Sequence, residues 1–244
     1  MYKLVVMLLL AGISPSCVMA KSEVQGSFGL GYAAQYIHES LPYADKIIAS
    51  NASVSIVFKN RHNFRYRAGI EYLTTGYTGA GSFIYIQSIT PTTGGGYHQI
   101  IFRHIGIPLA LGYQLRLSKH MSIVPELGLL GTYNLGASDM RDVYGATRIN
   151  HDWEPVPQKD FNDTYKRYSL FGTAKLALHY KVKKWVCFAG PSFYLMTSDL
   201  SKHPLQFPFG PPIATVQKEY QLSFNIGMSY RLASGENKLK KKHG

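Results

Sequence analysis

The chain has 244 residues, 45% of them hydrophobic and 16% charged, with a formal net charge of +12 and 18 tyrosines. This composition excludes a disordered chain, which is poor in hydrophobic and aromatic residues, and two cysteines exclude a disulfide scaffold. Past the N-terminus no apolar run reaches the roughly 18 residues of a membrane-spanning helix.

Residues 1–20 read as an export signal. Met1 to Lys3 form a short basic start, Leu4 to Ile13 are apolar apart from Gly12, and Pro15 ends the run. Val18-Met19-Ala20 places cleavage after Ala20. Cys17 offers a lipoprotein alternative, but the aliphatic residue usual three places earlier is replaced by Ser14. Loss of the signal removes Cys17 and leaves Cys187 as the one thiol, so no internal bridge is expected.

From Lys21 onward the hydrophobic period is two, the repeat of a strand with one apolar and one polar face. In chain order the apolar positions are Phe28, Leu30, Tyr32, Ala34 and Tyr36; Ile48, Ala52, Val54, Ile56 and Phe58; then Phe64, Tyr66, Ala68, Ile70 and Tyr72. The alternation is strict from Ile105 through Ile107, Leu109, Leu111, Tyr113 and Leu115 to Leu117, and it continues through Met121, Ile123, Leu127, Leu129, Tyr133 and Leu135. It returns from Tyr168 to Tyr180 and from Tyr220 to Leu232, whereas Trp185 to Met196 is apolar on both faces. About eight strands of roughly 10–15 residues are predicted, long beside the usual 5–6.

The connections alternate in length. Short turns are predicted at Asn60 to Asn63, Ser118 to His120 and Lys181 to Lys184, and long segments at Glu39 to Lys46, Thr75 to Tyr97, Gly136 to Thr164 and Thr197 to Lys218. An up-and-down meander would then carry its short turns at one end and its long loops at the other, as outer-membrane barrels do.

A soluble barrel turns its apolar face inward, so periodicity alone does not decide the solvent. Two features favour lipid. Tyr168 with Tyr180, and Tyr220 with Tyr230, bracket two strands on their apolar faces, the placement of an aromatic girdle. Strands of that length, at roughly 3.3 Å per residue and tilted by about 40°, rise roughly 25–30 Å, close to the 25 Å apolar band. The opposite face (Gln221, Ser223, Asn225, Gly227, Ser229) is too poor in charge for a water-facing surface and suits a crowded lumen. The predicted fold is therefore all-β, a closed up-and-down antiparallel transmembrane β-barrel over residues 21–232. Eight strands leave an interior just wide enough for side chains to fill, so an open channel is not expected.

Phe102-Arg103-His104-Ile105-Gly106-Ile107-Pro108-Leu109-Ala110-Leu111-Gly112-Tyr113 resembles the "IP-L" strand of the PorT-like outer-membrane β-barrel family. Val124-Pro125-Glu126-Leu127-Gly128-Leu129-Leu130 resembles its next strand, and Ser223 to Leu232 its closing strand. The resemblance implies an integral outer-membrane protein of Gram-negative bacteria, in a family whose members mostly lack an assigned activity while some assist a secretion system. Implied partners are outer-membrane lipid, the barrel-assembly machinery and a periplasmic or secretion-system protein. The tail 233–244 departs from the family pattern, since such barrels usually stop at their last strand.

Strand parity places Arg65, Arg67, Glu71, Arg116, Glu126, Lys175 and Arg231 inside, as a network of paired charges filling the lumen. Pairing across the Ser118 turn puts Glu126 opposite Gly112 and Gln114, within reach of Arg116. An anion-selective path is the competing reading of the same residues. His98, His104, Asp139, Asp142, His151, Asp152, Glu154, Asp160 and Asp163 gather toward the long-loop end without the spacing of a metal motif, so neither metal nor cofactor is expected. A rim hydrolase built from His104, Ser138 and Asp139 would lack a nucleophile motif, and Gly94-Gly95-Gly96 opens no helix. The basic tail with Lys238, Lys240, Lys241 and Lys242 is read as a solvated periplasmic end, or as one drawn to anionic headgroups. Nucleic acid is not an expected partner, since no recognition module is present.

Overall fold

The structure is a computed structural model that describes residues 21–37, 46–60, 62–85, 92–144, 150–155, 165–198 and 217–232. The expected signal segment 1–20 and the basic tail 233–244 lie outside the described residues.

Eight long strands form the wall: β1 (Lys21–Ile37), β2 (Ile47–Lys59), β3 (Phe64–Tyr85), β4 (Thr92–Tyr113), β5 (Met121–Tyr144), β6 (Tyr168–Val182), β7 (Trp185–Met196) and β8 (Gln217–Arg231). Leu115–Arg116 prolongs β4 beyond a break at Gln114, and Asn150–Pro155 pairs on the far end of β5. Each strand lies antiparallel beside its chain neighbours. The ring closes where β1 meets β8, from Glu23 opposite Arg231 to Ile37 opposite Gln217. Every wall strand thus has a partner on both sides, the condition for backbone amides in hydrocarbon, where no water can satisfy a free edge.

The burial pattern is that of an inside-out protein. Ile48 is 74% exposed, Leu127 69% and Val54 64%, while Glu23, Arg65, Arg67 and Glu71 are at most 3% exposed. In β2 the alternation runs unbroken from buried Ile47 and Ala49 through Asn51, Ser53 and Ser55 to Val57, with Ile48, Ala52, Val54, Ile56 and Phe58 exposed between them. A belt of exposed Ile, Leu, Val and Phe around the whole ring is incompatible with water and fits acyl chains. The barrel spans a membrane.

The short turns have local causes. Asn60 Oδ1 accepts from the backbone N–H of His62 (2.9 Å) and Phe64 (3.0 Å), and Asn63 takes φ 67°. Ser118 Oγ accepts from the N–H of His120 (3.3 Å) and Met121 (3.1 Å). Such side-chain acceptors close tight turns. Lys183, at φ 55°, makes the third turn with Lys184.

At the other end the expectation of long loops needs correction. Strand β3 continues to Tyr85, β4 already begins at Thr92, and β5 runs to Tyr144. Much of what reads as Thr75 to Tyr97 and Gly136 to Thr164 is strand. At lengths of 22, 22 and 24 residues, these three run roughly 73–79 Å at about 3.3 Å per residue and, tilted by about 40°, rise roughly 55–60 Å, against a hydrocarbon core of about 30 Å. The bulge between Arg103 and His104, where Leu135 is the extra residue opposite, marks the level at which the extension begins. Gly136, at φ 147°, takes the bend there, a backbone region that L side chains rarely enter.

Candidate functional site

Alternation within each strand sends a column of residues into the lumen, and eight columns meet in layers. The layer nearest the short turns centres on Glu23 of β1. Arg65 Nη2 donates to its Oε2 at 3.2 Å and Arg231 Nε to its Oε1 at 3.1 Å, with the Ser229 hydroxyl also donating to Oε2 at 3.2 Å. Beside it Lys59 donates to the Gln114 side-chain oxygen, and Gln114 Nε2 donates to Ser122 Oγ at 2.8 Å.

The middle layer centres on Glu71, which is wholly buried. Lys175 Nζ reaches its two oxygens at 3.0 and 3.3 Å, Arg67 Nη1 donates to Oε2 at 3.4 Å, and the Tyr194 hydroxyl donates to Oε1. Arg67 Nε donates to Glu126 Oε1 at 2.8 Å, and Asn51 donates to Tyr194. Lys175 Nζ also lies 5.0 Å from the centroid of the Tyr194 ring. Six strands contribute to this brace: Asn51 from β2, Arg67 and Glu71 from β3, Glu126 from β5, Lys175 from β6, Tyr194 from β7, and next to it Asn225 of β8 donating to Ser192 of β7. A cavity of about 30 Å³ at this level is lined by Arg67, Glu126, Lys175 and Asn225. Room for one or two waters does not make a path for a solute.

The third layer, toward the long-loop end, is apolar. Leu73, Ile100, Phe102, Leu130, Tyr165, Phe171, Tyr194 and Met196 pack together inside the ring. The ring of Tyr165, just ahead of β6, meets Phe102 edge-on at 4.9 Å. Against this plug sit His104, whose Nε2 is 3.0 Å from Thr75 Oγ1, and Glu219, which accepts from the same hydroxyl.

Of the residues placed inside by parity, Arg65, Arg67, Glu71, Glu126, Lys175 and Arg231 come together in two clusters. Arg116 does not. The regular ladder of β4 stops at Tyr113, and Gln114 N bonds back to Asn63 O at 3.0 Å, so Arg116 stands exposed on the rim and Glu126 is taken by Arg67 instead. Glu126 does face Gly112, as the turn implied. Glu23, Asn51, Lys59, Tyr194 and Glu219 join the lumen residues from outside the set that the sequence pattern singles out. Parity carried a few places further along β1 and β8 reaches Glu23 and Glu219, and parity with Ser192, the polar side chain of β7, reaches Tyr194.

Tyr168 and Tyr220 stand at the long-loop end of the belt and Tyr180 and Tyr230 at the short-turn end. Tyr168 packs edge-on against Tyr133 (5.4 Å) and Tyr230 against Trp185 (4.8 Å). His104 and Ser138 are not brought together. His104 is bound to Thr75 in the lumen, and Ser138 Oγ accepts from Arg103 at 2.8 Å. Asp160 and Asp163 lie outside the described residues, and His98, Asp139, Asp142, His151, Asp152 and Glu154 are described in backbone only.

No family model and no curated protein matches the chain. Among solved structures it is similar to Neisserial surface protein A, with TM-score 0.43 and 12% identity over 86% of this chain and 97% of that one. It is similar also to the outer membrane protease OmpT from Escherichia coli (TM-score 0.39, 11% identity, 87% and 96% covered) and to the outer membrane protein OprG from Pseudomonas aeruginosa (0.35, 10%, 87% and 96%). These are likenesses of barrel to barrel, with no site residue carried across.

Proposed function

We propose that the chain is an integral protein of the Gram-negative outer membrane that catalyses no reaction and acts through its two ends, binding by the long-loop side or assisting a secretion system through a periplasmic protein partner. The observation that carries this reading is the brace around Glu71, which crosses the lumen from six strands and borders a cavity of about 30 Å³. A sealed interior leaves the two rims to do the work. The PorT-like strand motifs around Pro108 and Pro125 support the secretion-assisting form, and the short turns would then face the periplasm. Outer-membrane lipid surrounds the belt, and the barrel-assembly machinery inserts it.

The competing pore reading is tested in planar bilayers. Purified, folded protein is expected to give no discrete openings at either polarity. Discrete, anion-selective openings would replace the sealed-lumen reading with that of a small-solute pore.

A further inference from the structure

The short-turn mouth of the barrel holds a cavity of about 280 Å³ whose walls carry Lys59, Arg65, Arg116, Lys119, Lys181 and Arg231 against a single acid, Glu23. These six cations come from six different strands or turns and converge on one opening. Glu23 is already matched by Arg65 and Arg231. Lys59 is held by Gln114. Arg116, Lys119 and Lys181 have no acid partner among the described residues. At the floor His179 is buried, stacked on Phe188 at 5.2 Å, and its Nδ1 has no partner. Like charges gathered in a recess with low-dielectric walls focus a field outward and raise the local concentration of anions.

We propose that this mouth is a docking site for a segment rich in Asp and Glu on a protein at the short-turn side. The volume lies at the lower edge of small-ligand pockets, about 300–1,000 Å³, so it takes one or two carboxylate side chains reaching in from a chain that remains outside. The two arginine forks best suited to a planar oxyanion, Arg65 and Arg231, are occupied by Glu23. The free charges are mostly lysines, point charges that select for sign and number over shape. The chain's own terminal segment is no candidate: it brings Lys238, Lys240, Lys241 and Lys242 against one Glu236. The proposal rests on the reading of a sealed barrel that works through a partner, and names the chemistry of that partner.

The test uses the full-length folded protein in nanodiscs of phosphatidylcholine and a fluorescein-labelled hexaglutamate peptide, followed by anisotropy at low salt. Saturable binding is expected, weakening as salt screens it. The combined variant Arg116→Gln, Lys119→Gln, Lys181→Gln should weaken it about tenfold. Lys183→Gln with Lys184→Gln, at the same end but outside the cavity, should leave it unchanged. Absence of saturable binding, or equal losses in both variants, overturns the proposal. Tripolyphosphate binding as tightly as the peptide would overturn it in favour of a small-oxyanion site. A barrel that conducts yet binds the peptide refutes the sealed lumen alone, and a silent barrel that ignores the peptide refutes this inference alone.

Discussion

Glu71 is the residue on which most of the lumen's electrostatics converges. It accepts from Arg67, Lys175 and Tyr194 and has no contact with solvent. Removing one member of a buried charge group costs about 3–5 kcal/mol, because the partners remain buried and unpaired. Glu71→Gln is therefore expected to lower barrel stability by about that amount, read from urea titration of the heat-modifiable band on a gel. Adding Lys175→Met should recover part of the loss, since Arg67 keeps Glu126 while the stranded ammonium disappears. A second sensitive position is Gly190. The β6–β7 ladder skips from Lys175–Ser192 to Leu178–Ala189, and between them Pro191 has no N–H to offer. A Cβ on Gly190 would fall 1.9 Å from the Leu176 carbonyl oxygen, so the two strands have closed on a backbone without a side chain. Gly190→Ala should cost about 1–3 kcal/mol in the same titration, as overpacking does.

Strands carry a different lesson. Between the two aromatic levels each residue faces either lipid or lumen, so a misplaced polarity is costly and the alternation of Ile105 to Leu117 or Tyr220 to Leu232 is clean enough to read directly. Leu109→Arg, in the middle of β4, is expected to destabilise folding by about 2–4 kcal/mol, whereas Arg103, on the same strand at the bulge, already carries an exposed guanidinium. Past the bulge the apolar positions no longer alternate strictly in the sequence. Without that period Thr75 to Tyr85 reads as loop though it forms strand. Arg116 departs from its parity for the converse reason: β4 loses its regular pairing after Tyr113, so the alternation no longer carries to it. The clusters themselves were only partly legible. Parity tells which side chains enter the lumen, but which of them meet depends on the stagger of eight strands around a ring, and that pairs Glu126 with Arg67 over the intervening β4, from a position 59 residues earlier.

For the molecule as a whole, the claim that lipid lies outside is open to direct measurement. Spin labels at Leu109 and Phe224 should relax with dissolved oxygen and ignore water-soluble quenchers. The reverse result would make this a soluble barrel with an unexplained oily coat. Closure has a further consequence in time. Glu23 finds Arg231 only across 208 positions of chain, and until β8 arrives β1 has one neighbour. Synthesis proceeds from the amino end, so the first staves wait for the last before the cask can hold. A polypeptide halted anywhere before residue 217 would own two raw margins and nowhere oily to hide them.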